Sequence, residues 1–250
     1  MKMPIADVHT HLDIFPKADI LHVIRRAEAA GVSAIINNGV NPKTNRLTLE
    51  LAKKYPVVKA ALGIYPIDGL AMTDEEIDSE LRFIEKNKDI IVGIGEVGID
   101  YLKTEDRVRQ KVVFQKQIDL AMKIQKPLIV HSRKAESNTI EMLISAGAKK
   151  VVMHCCMADM QTVKKAQDAG FMFSIPCLIK SSSHFKKVVE NLPMSRILTE
   201  TDAPFLHYDR SRKSEPALIP ETIAEIARIK GLTPVDCANI IYQNYQSLFS

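Results

Sequence analysis

The chain of 250 residues is 46% hydrophobic and 26% charged, which is typical of a folded protein, and its 10 glycines and 12 prolines exclude a collagen-like chain and argue against a disordered one. Its formal net charge of +4 is too small to indicate a nucleic-acid partner by itself. No run reaches the roughly 18 apolar residues of a membrane helix, so we expect no membrane partner.

The cysteines and the first residues bear on the compartment. Four cysteines without zinc-finger or CxxC spacing are too few for a disulfide scaffold, which favours a reducing environment. Asp7, His9 and His11 stand where a signal peptide needs an apolar stretch. We therefore expect a cytoplasmic protein.

Eight short apolar runs alternate with longer amphipathic stretches. The predicted strands are, in chain order, Ile5–His9, Ala34–Asn38, Val57–Gly63, Ile90–Glu96, Leu128–His131, Val151–His154, Phe171–Ile175 and Ile197–Thr201. Each run is almost continuously apolar, as expected of a parallel strand that is buried on both faces.

Helix-start and helix-stop residues bound the stretches between these strands. The predicted helices are Ala18–Ala30, one capped by Asn41-Pro42, one beginning at Thr73, Glu105–Gln125, Ser137–Ala146, Asp159–Ala169, one beginning near His184, Pro220–Lys230 and Pro234–Leu248. This alternation predicts an α/β fold, a single (β/α)8 TIM barrel over residues 1–250. The alternative is an open doubly wound sheet, but no GxGxxG motif follows the first strand.

Polar side chains end several of the predicted strands. The first strand runs into Asp7-Val8-His9-Thr10-His11, in which alternation places the two imidazoles on one side. Later strands end at Glu96, His131, His154 and Thr201-Asp202. Because the carboxyl ends of all barrel strands meet at one mouth, we expect these residues to form one site.

Imidazole and carboxylate are ligands of zinc, manganese and similar divalent ions. Six such groups exceed the needs of one tetrahedral ion and suit two ions bridged by a carboxylate and a water, whose pKa the ions would lower. A single histidine is more often a hydrogen-bonded core residue, and Glu96 alone could pair with a lysine or arginine. Together, however, these groups would be costly to bury without a cation. The combination favours a metal site.

Several segments resemble the TatD family of metal-dependent hydrolases. They are Asp7 to His11, Gly95 to Tyr101, His131 to Arg133, Val151 to Cys155, Glu200 to Pro204 and Glu215 to Pro220. The resemblance implies a TIM-barrel hydrolase of the amidohydrolase superfamily with one or two divalent metals (Zn, Mn, Mg or similar) and deoxyribonuclease activity on DNA or another phosphodiester.

The resemblance also implies residue roles. His9 and His11 would bind the first metal beside Asp202, Glu96 would bridge, and His131 and His154 would bind the second. Arg133 would face the phosphate of the substrate, and Asp202 would accept the proton of the attacking water. Glu200, on the same face of the strand as Asp202, remains an alternative general base.

Two departures from the family pattern concern the substrate. Tyr65 stands where members often have histidine, and Cys156-Met157 replace a Phe-Ser pair after the sixth strand. Tyr65 or Tyr101 could stack a base or merely pack, and His207 could reach the mouth. An amide, a lactone or a small phosphoester therefore remains an alternative substrate. A binding protein without catalytic activity is the third alternative; it predicts an incomplete ligand set, whereas the set here is complete.

Overall fold

The computed structural model describes residues 4–104 and 106–249. Its centre is a sheet of eight parallel strands that are hydrogen-bonded in chain order. The strands are β1 (Ile5–Thr10), β2 (Val32–Asn38), β3 (Val58–Leu62), β4 (Gly93–Asp100), β5 (Leu128–Arg133), β6 (Val151–His154), β7 (Met172–Pro176) and β8 (Ile197–Glu200).

Helices connect the strands on the outside of this sheet. They are α1 (Lys17–Ala30), α2 (Pro42–Lys54), α3 (Pro66–Leu70), α4 (Asp74–Lys86), α5 (Arg107–Ile124), α6 (Glu136–Ser145), α7 (Met160–Asp168), α8 (Ser183–Asn191), α9 (Ile219–Lys230) and α10 (Pro234–Phe249). Short 3-10 turns lie at Leu12–Ile14, Cys177–Lys180, Met194–Arg196 and Pro216–Leu218.

The last strand returns to the first and closes the sheet. Just beyond β8, the Asp202 amide donates to the His9 carbonyl at 2.8 Å, and the His11 amide donates to the Ala203 carbonyl at 2.8 Å. Lower in the barrel, the Thr199 hydroxyl donates to the Ala6 carbonyl at 2.8 Å. Eight parallel strands in chain order with helical crossovers confirm the predicted (β/α)8 barrel.

The C-terminal helix α10 covers one end of the barrel. Its residues Tyr245, Leu248 and Phe249 pack in one apolar cluster with inward-facing residues of β1 and β8, including Ala6 and Leu198. Phe249 also lies against Gly93, the first residue of β4. Because α10 covers the amino ends of the strands, only the carboxyl ends remain open for a site.

Local sequence explains where several helices begin. Asn41 accepts from the Thr44 amide at 3.1 Å, Pro42 is the first residue of α2, and the cap is completed by the Thr44 side chain. A second capping box, Thr73 with Glu76, begins α4. Both starts agree with the sequence predictions.

The prediction for the fourth strand was wrong in its boundaries. The apolar run that begins at Ile90 precedes the sheet, and Ile90 itself is 47% exposed. The strand instead continues beyond Glu96 to Asp100, which pairs with Arg133 of β5. Pairing with β5, rather than apolar content, fixes where this strand ends, because ladder hydrogen bonds satisfy its buried backbone.

Other boundaries shift slightly. The predicted helix Glu105–Gln125 is α5 (Arg107–Ile124), with Asp106 capping it by accepting from the Arg109 amide at 3.0 Å. Glu105 lies outside the described residues. The short helix α3 was not predicted, since five residues are too few for helical periodicity. None of the helices in the described ranges is long and apolar enough to cross a membrane.

Candidate metal centre

Two imidazoles project together from the end of β1. The Nε2 atoms of His9 and His11 lie 3.2 Å apart. The other nitrogen of His11, Nδ1, donates to the Asn38 carbonyl at 3.0 Å, which leaves the Nε2 lone pair for the cavity. His9 is fully buried, and its Nδ1 has no hydrogen-bond partner among the described residues. The pair is therefore held with its Nε2 atoms converging.

An irregular stretch of β4 carries Glu96. The pairing of β4 with β5 shifts register between Ile94 and Val97, and such a bulge redirects a side chain. Two residues later, Gly98 has a φ of +140°, and a Cβ there would lie 1.9 Å from the His131 carbonyl oxygen. Only glycine permits β4 to approach β5 so closely. The motif Gly-Glu-Val-Gly thus places Glu96 at the barrel mouth.

The six predicted ligands converge there. Their donor atoms form three overlapping groups, within each of which all atoms lie within 4.8 Å of one another. The groups are His9, His11 and Glu96; His9, His154 and Asp202; and Glu96, His131 and His154. Among the described residues, Glu96 is the only carboxylate that belongs to two of these groups, so it is the carboxylate that could bridge two ions.

The spacing of the donor atoms fits a divalent ion. The Nε2 atoms of His9 and His11, Glu96 Oε2 and Asp202 Oδ1 are separated by 3.2–3.6 Å in the five pairs that involve a histidine. A tetrahedron around an ion with bonds of about 2.0–2.1 Å has an edge of roughly 3.3–3.4 Å. The donor set therefore fits a metal in both chemistry and spacing.

A buried carboxylate stands behind His154. Glu200 is fully buried and accepts from His154 Nδ1 at 2.8 Å, from the Cys155 amide at 2.9 Å and from the Ser174 hydroxyl. These bonds turn the Nε2 atom of His154 toward the cavity, as in carboxylate–histidine–metal arrangements. Glu200 does not line the cavity, so the structure disfavours it as the general base.

His131 has a similar partner. Its Nδ1 lies 2.9 Å from Glu96 Oε1, and its Nε2 lies 3.4 Å from Asp100 Oδ2. Asp100 also accepts from the Tyr65 hydroxyl at 2.9 Å and from the Leu102 amide at 2.9 Å. Tyr65, the departure from the family pattern, therefore helps to hold the carboxylate that orients His131.

Opposite charges within the cluster determine its titration. Burial favours neutral carboxyls, but hydrogen bonds from His11, His131 and His9 hold the pKa of Glu96 well below its usual range. Burial disfavours a charged His154, but the Glu200 charge raises its pKa to about 9. The cluster thus keeps Glu96 ionised and favours protonation of His11 and His154, whereas burial and the charge of His154 lower the pKa of His9. A divalent cation would replace those protons, because metal ligands must be deprotonated.

Asp7 lies beneath this cluster. It is fully buried and accepts from the amides of Thr201 at 3.1 Å and His9 at 3.2 Å, as well as from the Thr201 hydroxyl. Burial raises its pKa to about 8, although these hydrogen bonds oppose the shift. Asp7 therefore connects β1 to the end of β8, and it belongs to none of the three donor groups.

The role of Glu200 is open to test. We expect Glu200→Gln to weaken metal binding by about 10- to 100-fold, because partners of metal-bound histidines contribute on that scale. Titration of metal-free protein with zinc, followed by calorimetry, measures this change. The matched control is Glu190→Gln on the exposed surface of α8, which should bind as the unaltered chain does. Equal affinity in both variants would contradict the role assigned to Glu200.

A cavity of about 450 Å³ opens above the donor groups. Five of the six predicted ligands line it, and His9 lies just beneath. Arg133 lines the cavity as predicted, and Lys103 stands beside it with its Nζ 3.4 Å from the Tyr65 hydroxyl. The predicted ligands therefore face a space that two cationic side chains also line.

The remaining candidates lie elsewhere. His207 is buried and does not line the cavity, and its Nδ1 accepts from the Asp209 amide at 2.8 Å. Tyr101 packs under the Arg107 guanidinium and also does not line it. His184 lies in α8 and contacts the Cys156 carbonyl at 3.0 Å. Of the two tyrosines proposed for base stacking, only Tyr65 reaches the cavity.

Comparison with known proteins agrees with the geometry. The sequence profile of the family described as TatD related DNase matches residues 6–250. The chain is 33% identical over 253 residues to the "Uncharacterized metal-dependent hydrolase YabD" of Bacillus subtilis, covering 97% of this chain and 98% of that protein. It is 32% identical over 259 residues to human "Deoxyribonuclease TATDN3", covering 98% and 94%.

The fold is also similar to solved structures. The crystal structure of YJJV, a TatD homolog from Escherichia coli, superposes with a TM-score of 0.92 at 26% identity, covering 100% of this chain and 99% of that one. A TatD-family hydrolase from Entamoeba histolytica superposes with a TM-score of 0.86 at 22% identity, over 100% and 99%. The likeness therefore extends over the whole barrel.

Proposed function

The chain belongs to the TatD family of metal-dependent hydrolases, and we propose that it is a phosphodiesterase that acts on DNA ends. One observation carries the proposal. The cationic side chains of Arg133 and Lys103 line the same cavity as a donor set for two metal ions. A guanidinium matches the oxygens of a phosphate geometrically, whereas a neutral lactone or amide offers it no such partner.

We assign the metal ligands according to the donor groups. His9 and His11 would hold the first ion together with Asp202, whose Oδ1 lies 3.5 Å and 3.4 Å from their Nε2 atoms. His131 and His154 would hold the second ion, and Glu96 would bridge the two. Asp202 also forms a donor group with His9 and His154. When bound, the ions would supply Lewis-acid activation of water and of a phosphoryl oxygen. Zinc and manganese both accept such a mixture of imidazole and carboxylate ligands.

The protein side chains would divide the remaining tasks. Arg133 would bind a non-bridging oxygen of the substrate and orient the phosphorus over the donor groups. Asp202, whose side chain is 14% exposed toward the cavity, would accept the proton of the attacking water. The name of the human relative, a deoxyribonuclease, supports a phosphodiester of DNA as the substrate.

A panel of substrates tests the reaction class. We expect metal-dependent hydrolysis of single-stranded DNA and of nitrophenyl phosphodiesters, with little turnover of lactones or amides. Chelation followed by readdition of zinc or manganese should abolish and then restore the activity. Faster hydrolysis of lactones or amides than of phosphodiesters would contradict the proposal while leaving the metal site intact.

Removal of Arg133 tests its contact with phosphate. We expect Arg133→Ala to lower kcat/KM for phosphodiesters roughly 10- to 100-fold, since a hydrogen bond to a charged group contributes about 1.5–3 kcal/mol. Metal content should not change, because Arg133 belongs to none of the donor groups. Arg133→Lys should restore part of the activity, since lysine lacks the planar pair of donors.

The matched control for Arg133 is Arg82→Ala, which removes an exposed guanidinium from α4. It should leave both phosphodiester hydrolysis and metal content as they are. Loss of metal in Arg133→Ala, measured by elemental analysis, would instead make Arg133 a structural support of the ligands.

A further inference from the structure

The cavity has two chemically different halves. Side chains that follow β8, β1 and β2, three neighbouring strands, line one half and are apolar. They are Phe205, Leu206, Ile14 and Val40. The opposite half is lined by side chains that follow or end β3, β4 and β5, and these are Tyr65, Lys103 and Arg133. The predicted metal ligands lie between the two halves.

The apolar half contains an exposed aromatic ring. Phe205 is 50% exposed and its ring centroid lies 6.3 Å from that of His11, while Ile14 beside it is 48% exposed. A large apolar side chain exposed in this way loses the stabilisation of burial, and exposed apolar surface at a cavity marks a binding surface. Phe205 therefore offers exposed ring surface to a planar ligand, 6.3 Å from the ring of the predicted ligand His11.

We propose that this apolar half is a base-binding subsite, with Phe205 stacking against the nucleobase of a terminal nucleotide. The inference rests on the proposed phosphodiesterase function and adds a residue that determines substrate specificity. The phosphate of that nucleotide lies over the donor groups, and the continuing strand passes the side of Lys103 and Arg133. Stacking on an aromatic ring tolerates every base, so the subsite selects nucleotides without reading sequence.

The size of the cavity supports one nucleotide rather than a duplex. A volume of about 450 Å³ lies near the lower end of the range of small-molecule sites and suits a single nucleotide. A stacked base beside the metal ligands must also be unpaired, since pairing would require space for a second strand. The subsite thus favours single-stranded or frayed ends.

Substrates with and without a base test the subsite. The 5′ and 3′ p-nitrophenyl phosphate esters of thymidine carry a base, and methyl p-nitrophenyl phosphate has the same scissile bond without one. We expect Phe205→Ala to lower kcat/KM for at least one thymidine ester roughly tenfold, which is within the range of base–aromatic stacking. Hydrolysis of the methyl ester should be unchanged.

A control variant separates stacking from general loss of apolar surface. Met157, in the loop after β6, is 53% exposed and does not line the cavity. Met157→Ala should hydrolyse all three esters as the unaltered chain does. An equal loss on all three esters in Phe205→Ala would overturn the base subsite, because the ring would then act on the shared nitrophenyl phosphate.

Binding gives a second readout that does not depend on turnover. The chain contains no tryptophan, so Phe205→Trp introduces a single fluorescent reporter at the subsite. We expect thymidine 5′-monophosphate to quench the tryptophan fluorescence, and deoxyribose 5-phosphate, which lacks the base, to leave the fluorescence unchanged. Equal responses to the two ligands would overturn the inference. Failure of the unaltered chain to hydrolyse any phosphodiester would instead contradict the proposed function.

Discussion

Glu96→Gln is expected to lower the metal content from about two ions per chain to one or none, while the barrel remains folded. One donor group contains His9, His11 and Glu96, and another contains Glu96, His131 and His154. Within the part of the chain that the structure describes, Glu96 is the only residue that these two groups share. An amide of the same shape carries no charge and is a weaker ligand for a hard or borderline cation. Both sites therefore lose their common ligand.

Glu96→Gln should lose more activity than Glu200→Gln, which alters only the hydrogen-bond partner of a predicted ligand. Removing such a partner costs about 10- to 100-fold, so we expect Glu96→Gln to lower phosphodiester hydrolysis by at least about a hundredfold. Elemental analysis measures the metal, and circular dichroism measures the fold. The control Glu190→Gln, on the exposed face of α8, should retain metal and activity. Full metal content in Glu96→Gln would show that Glu96 is not the bridge.

The strands and their polarity could be predicted because they depend on local pattern. Continuous apolar runs identify buried parallel strands, and caps such as Asn41-Pro42 mark the helices between them. A barrel then places every carboxyl end at one mouth, so the convergence of His131, His154 and Asp202 follows from topology alone. Their roles as metal ligands stay a prediction until metal content is measured.

The carboxylates that contact the predicted histidine ligands could not be predicted in the same way. Glu200 and Asp100 are fully buried, and each contacts a histidine of another strand: Asp100 of β4 contacts His131 of the adjacent β5, and Glu200 of β8 reaches past β7 to His154 of β6. Their roles therefore depend on strand pairing, which the sequence does not contain. The register shift near Glu96 adds to this difficulty, because it breaks the strict alternation on which a face assignment depends. A carboxylate near the carboxyl end of a strand that lies one or two strands away from a candidate ligand is the signal that could have identified both.

Lys103 was also missed. It lies in the loop between β4 and α5, where no periodic pattern constrains the position of a side chain. Its place beside Tyr65 and Arg133 follows only from the path of that loop in the structure. The six predicted ligands lie on strands or directly after them, which made their convergence predictable, whereas Lys103 lies in a loop.

Asp202 stands where its charge can be removed with little disturbance of the backbone. Its φ is +49°, in the left-handed region, which asparagine and aspartate adopt more readily than other residues with side chains. The backbone amide of Asp202 donates a hydrogen bond to the His9 carbonyl at 2.8 Å, and this bond does not depend on the side chain. Burial would raise the pKa of Asp202, but the hydrogen bond from His11 and the charges of His154 and His9 lower it. The carboxylate is thus ionised and available to accept a proton.

Asp202→Asn is therefore expected to lower kcat by at least about a hundredfold with KM little changed, since general base catalysis contributes roughly 10²- to 10⁴-fold. A loss confined to kcat is the sign of an interaction that is made chiefly in the transition state. Assays at saturating zinc or manganese, with elemental analysis of the same samples, separate this loss from incomplete metal binding. Asp209→Asn, in the same loop but exposed, serves as the control and should be fully active. If metal-loaded Asp202→Asn turned over at a near-normal rate, another group would accept the proton of the attacking water, and Asp202 would serve only to bind metal.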